Sequence, residues 1–119
     1  AVARRFDEQL RPFDLTNGQF SLLMSLNRPA PPLMRDVAAL LAMDRTTLTA
    51  MLKPLQRRGL VSVTPDEKDR RGRRLTLLRE GRAVLERALP VWVNTEAAIE
   101  AALSEPGPDM VRDALRALS

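Results

Sequence analysis

The stretch from Asp44 to Leu77, DRTTLTAMLKPLQRRGLVSVTPDEKDRRGRRLTL, restricts the folds open to this chain more than any other. Leu48, Leu52 and Leu55 share one helical face, and Asp44 stands just before that run, where a carboxylate can accept from the free amides of a first turn. Met43 and Leu48 can staple across the cap. Arg57 and Arg58 suit a helix C-terminus, and Gly59 suits the left-handed position that follows it. Leu60 to Thr64 and Arg73 to Leu77 then alternate as short strands. The loop between them, Pro65 to Gly72, is too long for a two-residue turn. A capped helix, a glycine stop and a β-hairpin are therefore expected in that order. Pro54 is discordant: inside a helix it removes a backbone bond and crowds the preceding turn, so a bend or a distorted last turn is expected there.

The flanking segments read as helices. Leu33 to Leu41 predicts a short helix with Val37, Leu40 and Leu41 inward and Arg35 and Asp36 outward, ended by a tight break at Ala42-Met43. Two helices across a short turn, the second opening with polar residues, have helix-turn-helix spacing. Further upstream, Thr16 and Gln19 form a capping box, and Leu15 and Phe20 are placed for a hydrophobic staple. That helix is expected to bury Phe20, Leu23, Met24 and Leu26 and to stop before Pro29, where Pro29-Ala30-Pro31-Pro32 forms a stiff connector. Val2, Phe6, Leu10 and Phe13 fall at helical spacing over residues 1–13. Downstream, Leu78, Leu85, Leu89, Trp92, Ile99 and Leu103 mark one long amphipathic helix, with a bend expected at Pro90. Ser104 to Pro108 breaks it, and a last short helix would bury Val111, Ala114, Leu115 and Leu118.

Charge is distributed as unevenly as structure. From Asp44 to Arg74 there are nine Lys/Arg against four Asp/Glu, a net +5, whereas all 119 residues together net +4. One contiguous segment thus holds the whole positive excess, as expected of an electrostatic footprint for nucleic acid. With three Phe, one Trp and no Tyr, a single-strand binder built on stacking platforms is disfavoured. There is no Cys and no His, which removes disulfides, thiol switches, thiolate metal sites and the commonest general base. The five glycines are scattered, so no phosphate-cradling loop is present. No enzyme, no cofactor, no metal site and no catalytic residue is expected. No apolar run approaches the ~20 residues of a membrane span and no signal peptide is visible, so a cytoplasmic location is expected.

The major groove of DNA admits one α-helix, whose N-terminal side chains reach base edges. Arg45 could bond a guanine bidentately, and Thr46, Thr47 and Thr49 could bond bases or touch a thymine methyl. Arg35, Lys53, Arg57 and the hairpin arginines, Arg70 and Arg73 among them, could hold phosphates, which position a protein without reading sequence. An arginine-rich hairpin tip suits a neighbouring minor groove. Asp69 is expected to hold an arginine in shape through a carboxylate–guanidinium bond.

The order and spacing of Leu15-Thr16…Gln19-Phe20, Val37-Ala38, Asp44-Arg45-Thr46-Thr47-Leu48-Thr49, Leu55…Gly59-Leu60-Val61, Asp69-Arg70-Arg71-Gly72 and Gly81-Arg82 resemble the MarR/SlyA family of bacterial winged-helix regulators. The resemblance covers Leu15 to about Trp92. It implies a mainly α fold with a small two-stranded β wing: a winged helix-turn-helix lobe over residues 15–78, with dimerisation helices over 1–14 and 79–119, in one domain spanning 1–119. It also implies a homodimer with recognition helices in successive major grooves of a pseudo-palindromic operator, Arg71 in the minor groove and Asp69 as its organiser. The function implied is a sequence-specific double-stranded DNA-binding transcriptional regulator, a repressor relieved by a small aromatic or phenolic ligand, with Phe13, Phe20, Met24 and Trp92 lining the ligand pocket. The alternative is a winged helix used for protein assembly without sequence-specific DNA binding. Leu78 and Leu33 depart from the family pattern, each standing where a polar residue usually caps a helix.

Overall fold

The computed structural model describes residues 2–104. Five helices and one hairpin follow in the order α1 (Val2–Leu10), a 3-10 turn (Arg11–Phe13), α2 (Asn17–Ser25), α3 (Met34–Leu40), α4 (Arg45–Arg57), β1 (Val61–Pro65), β2 (Arg73–Leu77) and α5 (Arg79–Ser104). The break expected over Ser104 to Pro108 and the last helix expected over Val111 to Leu118 lie outside the described residues.

Local chemistry sets most of the boundaries. The capping box at α2 is formed: the Gln19 amide donates to Thr16 Oγ1 at 3.1 Å and the Thr16 amide donates to Gln19 Oε1 at 2.9 Å. Another free amide of that first turn, on Asn17, donates to Asp7 Oδ1 of α1 at 2.6 Å, which ties the two helices together. At the other end of α4, Gly59 has φ +70°; its amide donates to the Gln56 carbonyl and that of Leu60 to the Leu55 carbonyl, both at 3.0 Å. These two bonds make a Schellman stop. The turn between α3 and α4 places Ala42 at φ +53°, the tight break expected.

The hairpin pairs Val61 with Leu77 through Pro65 with Arg73, one residue later on its first strand than expected. Its far edge is not free. Leu33 bridges Arg74, and the Leu75 amide donates to the Pro32 carbonyl at 3.0 Å, so the proline connector lies against the sheet. Prolines lack the donor but hold an extended backbone with free carbonyls, and an edge strand needs no more. Leu33 makes no side-chain cap at the start of α3. Leu78, before α5, bonds through its backbone, its amide donating to the Leu60 carbonyl at 2.9 Å.

The core is one cluster running from Leu10 and Leu15 through Phe20, Leu23, Val37, Leu48, Leu52, Leu55 and Leu75 to Leu85 and Ala88. Some expected members are not in it. Met24 is 39% exposed and Leu22 is fully buried in its place; Leu40 is 60% exposed while Met34 and Ala38 are buried. Along α5 the buried face is Gly81, Val84, Leu85, Ala88 and Thr95, and beyond it Val93 and Leu103 are exposed. The helices continue through Pro54 and Pro90. In both cases the residue four positions earlier, Ala50 or Glu86, is exposed, so the carbonyl deprived of its donor stands where water can replace it.

Candidate nucleic-acid interface

The site begins with the cap of α4. The Thr47 amide donates to Asp44 Oδ1 at 2.7 Å. Bonds from the Thr47 backbone and hydroxyl hold the Asp44 carboxyl below its ordinary pKa, so it is charged near neutrality and complements the positive end of the helix. Arg45, Thr46 and Thr47 are exposed on that first turn. Thr49 differs from its neighbours: its hydroxyl donates back to the Arg45 carbonyl at 2.8 Å, leaving lone pairs that can accept from a base. Arg45, Thr46, Thr49, Ala50 and Lys53 line one open face of the helix. Ala50 is a member that side-chain chemistry did not suggest; its short side chain lets the backbone approach another surface closely.

The wing is a folded turn rather than a loose loop. The Arg71 amide donates to Asp69 Oδ1 at 3.1 Å, the Gly72 amide to the Asp69 carbonyl at 2.9 Å, and the Asp66 amide to the Gly72 carbonyl at 3.0 Å. Arg73 turns inward and donates to the carbonyls of Arg70 and Gly72 at 2.9 and 3.3 Å. Asp69 therefore organises the tip through the backbone, and the expected bond from its carboxylate to a guanidinium is not there. Asp66 makes that bond instead, accepting from Arg74 Nε at 3.0 Å. Arg74 Nη1 donates in turn to the Pro31 carbonyl at 2.8 Å, which pins the wing base to the connector. The carboxylate that could reach an arginine was decided by the hairpin register, which sequence spacing did not supply.

Asp66 is 9% exposed, and its hydrogen bond from Arg74 holds its carboxyl below the ordinary 3.8 against the opposing effect of burial. A depressed folded-state pKa contributes stability that is present above the unfolded value and lost as pH falls through the folded value. The wing base is thus expected to stay locked at neutral pH and to loosen only in strong acid. Asp66→Asn should lower the melting temperature at pH 7, and the deficit should shrink as the pH falls into strong acid; a deficit that stays constant with pH would exclude the ionised pair as the lock.

Arg35 and Arg45 meet Arg71 and Arg73 across a crevice of about 140 Å³ between the two helices and the wing, with Asp66 and Asp69 also on its wall. Arg45 Nη2 lies 3.5 Å from the Arg71 carbonyl, at the limit of a hydrogen bond. The guanidinium groups of Arg70 and Arg71 bond to none of the described residues and are exposed at the tip. Of the residues picked from the sequence, Arg35, Arg45, Asp69, Arg71 and Arg73 line the crevice, Thr46, Thr49 and Lys53 continue from Arg45 along the open face of α4, and Thr47 and Arg70 are exposed but line neither.

The four residues picked for a ligand are less alike. Trp92 stacks on Phe6 and Phe20, with ring centroids 5.4 and 5.3 Å apart, and its Nε1 donates to Asn17 Oδ1 at 3.1 Å. Phe20 is 1% exposed, Phe13 half-buried and Met24 exposed. Among the described residues no helix is long and apolar enough to cross a membrane, and no group of three or more acidic residues could hold a metal ion.

Residues 15–72 match the model of the MarR family. BadR, a transcriptional activatory protein of Rhodopseudomonas palustris, is 39% identical over 75 residues, which are 60% of this chain and 43% of BadR. The chain thus spans about half the length of the curated relatives it matches. The structure of the M. tuberculosis transcriptional regulator MosR in complex with DNA superposes with a TM-score of 0.79 at 36% identity, over 97% of this chain and 83% of MosR. The transcriptional repressor CouR bound to a 23-mer DNA duplex gives 0.78 at 33% identity, over 98% of this chain and 80% of CouR. CouR from Rhodococcus jostii RHA1 bound to p-coumaroyl-CoA gives 0.73 at 26% identity, with the same shares covered.

Proposed function

This chain belongs to the MarR family, and on that premise we propose that it is a homodimeric, sequence-specific DNA-binding transcriptional regulator of the cytoplasm, a repressor relieved by a small-molecule ligand. The observation that carries this reading is the exposed face formed by the first turn of α4 and the wing tip, where Arg45, Thr46, Arg70 and Arg71 stand exposed on adjacent elements. In this reading α4 enters a major groove, where Arg45 and Thr46 reach base edges and Thr49 accepts from one. Arg71 enters the adjacent minor groove from a tip already folded around Asp69, so little ordering entropy is lost on binding. Residues 15–78 form the DNA lobe. Residues 1–14 and 79–119 form the dimer arms, and the exposed Val93 and Leu103 of α5 suit a partner helix. MosR in complex with DNA and CouR bound to a DNA duplex support the DNA reading, and CouR supports the repressing sense over BadR because this chain covers more of it. An aromatic effector would draw on Phe13, Phe20, Met24 and Trp92, competing with the stack that Trp92 makes on Phe6 and Phe20.

Arg71→Ala should weaken operator binding about tenfold or more while leaving the folded dimer intact. Fluorescence anisotropy at fixed salt, on a duplex selected in vitro by this protein, measures it. Unchanged affinity would remove the wing from the mechanism.

A further inference from the structure

Arg58 closes α4 and makes a bond that DNA recognition by itself does not require. Its Nη1 donates to the Asp14 carbonyl at 2.6 Å and its Nη2 to the Phe13 carbonyl at 3.0 Å, 44 and 45 residues back along the chain. The Asp14 carboxylate is 92% exposed and stands 4.0 Å away, beyond hydrogen-bond reach, so the acceptors are the two carbonyls. Those carbonyls end the 3-10 turn Arg11–Phe13, where Asp14 has φ +54°. The exposed carbonyls at the end of that turn thus point their partial negative charge at one planar cation. Pro54 stands one turn before it: its carbonyl accepts from the Arg58 amide at 3.1 Å, and its fixed φ stiffens the turn from which Arg58 projects. Among the described residues, Arg58 makes the hydrogen bonds that join α4 to residues 2–14. Asp7 ties the same arm to α2 instead.

We infer that Arg58 is a positioning residue that fixes the angle between the recognition helix and the dimer arm, and thereby sets the half-site spacing the dimer accepts. The inference rests on the dimeric DNA-binding reading above. A dimer reads two half-sites together only if its recognition helices are held one helical turn apart or at a multiple of it. Each α4 reaches its dimer arm directly through the Arg58 fork. Freeing the fork leaves α4 folded and able to read one half-site, but lets it swing relative to the arm, so the penalty for a wrong spacer falls.

The test uses the full chain and a family of duplexes selected by the wild-type protein, with the spacer between half-sites lengthened and shortened by one and two base pairs, beside a single half-site duplex. Arg58→Gln is expected to shrink the preference for the native spacer by roughly tenfold and to leave single half-site affinity within about twofold. Arg58→Lys, which donates to one carbonyl, should restore part of the preference. Asp14→Asn, which keeps the carbonyls and tolerates the left-handed backbone, should leave it intact. A general loss of stability would lower affinity for every duplex alike and leave the spacer profile unchanged, and that result would overturn the inference. So would Asp14→Asn matching Arg58→Gln, since the carboxylate would then carry the link. If the wild-type protein binds no duplex, the DNA reading itself fails; if it binds but shows no spacer preference, Arg58 has no spacing to set and the inference fails while DNA binding stands.

Discussion

Gly81→Ala is expected to destabilise the fold by about 2 kcal/mol or more, although an alanine inside a helix is ordinarily favoured over glycine by about 1 kcal/mol. Gly81 lies in the first turn of α5, where the helix crosses the end of the Schellman stop. A Cβ there would lie 2.8 Å from Leu77 Cδ1 and 3.0 Å from the Leu60 carbonyl carbon, and it would meet the Leu60 oxygen closer still. The leucine side chain could rotate, but the Leu60 peptide is held from both sides. Its amide donates to the Leu55 carbonyl at 3.0 Å and its oxygen accepts from the Leu78 amide at 2.9 Å. Making room means lifting α5 off β1 or breaking one of those bonds, so the steric term outweighs the helix-propensity gain. For a chain of this size the melting temperature should fall by roughly 8 °C or more. Thermal denaturation followed by circular dichroism measures it; a variant melting at or above the wild-type temperature would show that the crossing has slack.

That crossing illustrates what was legible in the sequence and what was not. Features completed within a few residues were readable: the Thr16–Gln19 box, the Asp44 cap, the left-handed Gly59 and the helix faces of Leu48, Leu52 and Leu55 all stand where the spacing put them. Features decided by distant neighbours were not. The apolar residues of α2, Phe20, Leu22, Leu23 and Met24, are crowded into five consecutive positions that span more than one helix face, so periodicity could not choose between Leu22 and Met24, and packing chose Leu22. Asp66 and Asp69 are equivalent in a charge count, yet the register Pro65↔Arg73 brings only Asp66 to a guanidinium, that of Arg74. Arg58 looked like a helix-end cation and proved to bond a segment 44 residues away. The DNA face was legible as a set of residue types because its chemistry needs exposed polar side chains on adjacent elements. Which arginines are free to use there depends on carbonyls that no residue pattern reveals.

The count of free arginines sets the salt dependence. Of the basic residues between Arg35 and Arg74, Arg58, Arg73 and Arg74 already donate to protein carbonyls or to Asp66. Arg45 and Arg71 are assigned to bases and the minor groove. Arg35, Lys53, Arg57, Lys68 and Arg70 are exposed and have no ion pair among the described residues; with Lys68 lining a separate hollow beside Pro31, Thr64 and Glu67, the other four give a dimer ~8 phosphate contacts. Each neutralised phosphate releases condensed counterions, so the log–log slope of affinity against salt should be about −7, a loss of roughly 10⁴-fold between 50 and 200 mM. Anisotropy titrations across that range on one duplex measure the slope. Lys53→Ala in both protomers should reduce its magnitude by about 2, whereas Arg73→Ala should change it less, because that guanidinium is folded into the wing. A nearly flat dependence would mean that the basic face meets no phosphates. It would favour the protein-assembly reading, in which the wing's arginines serve a protein surface.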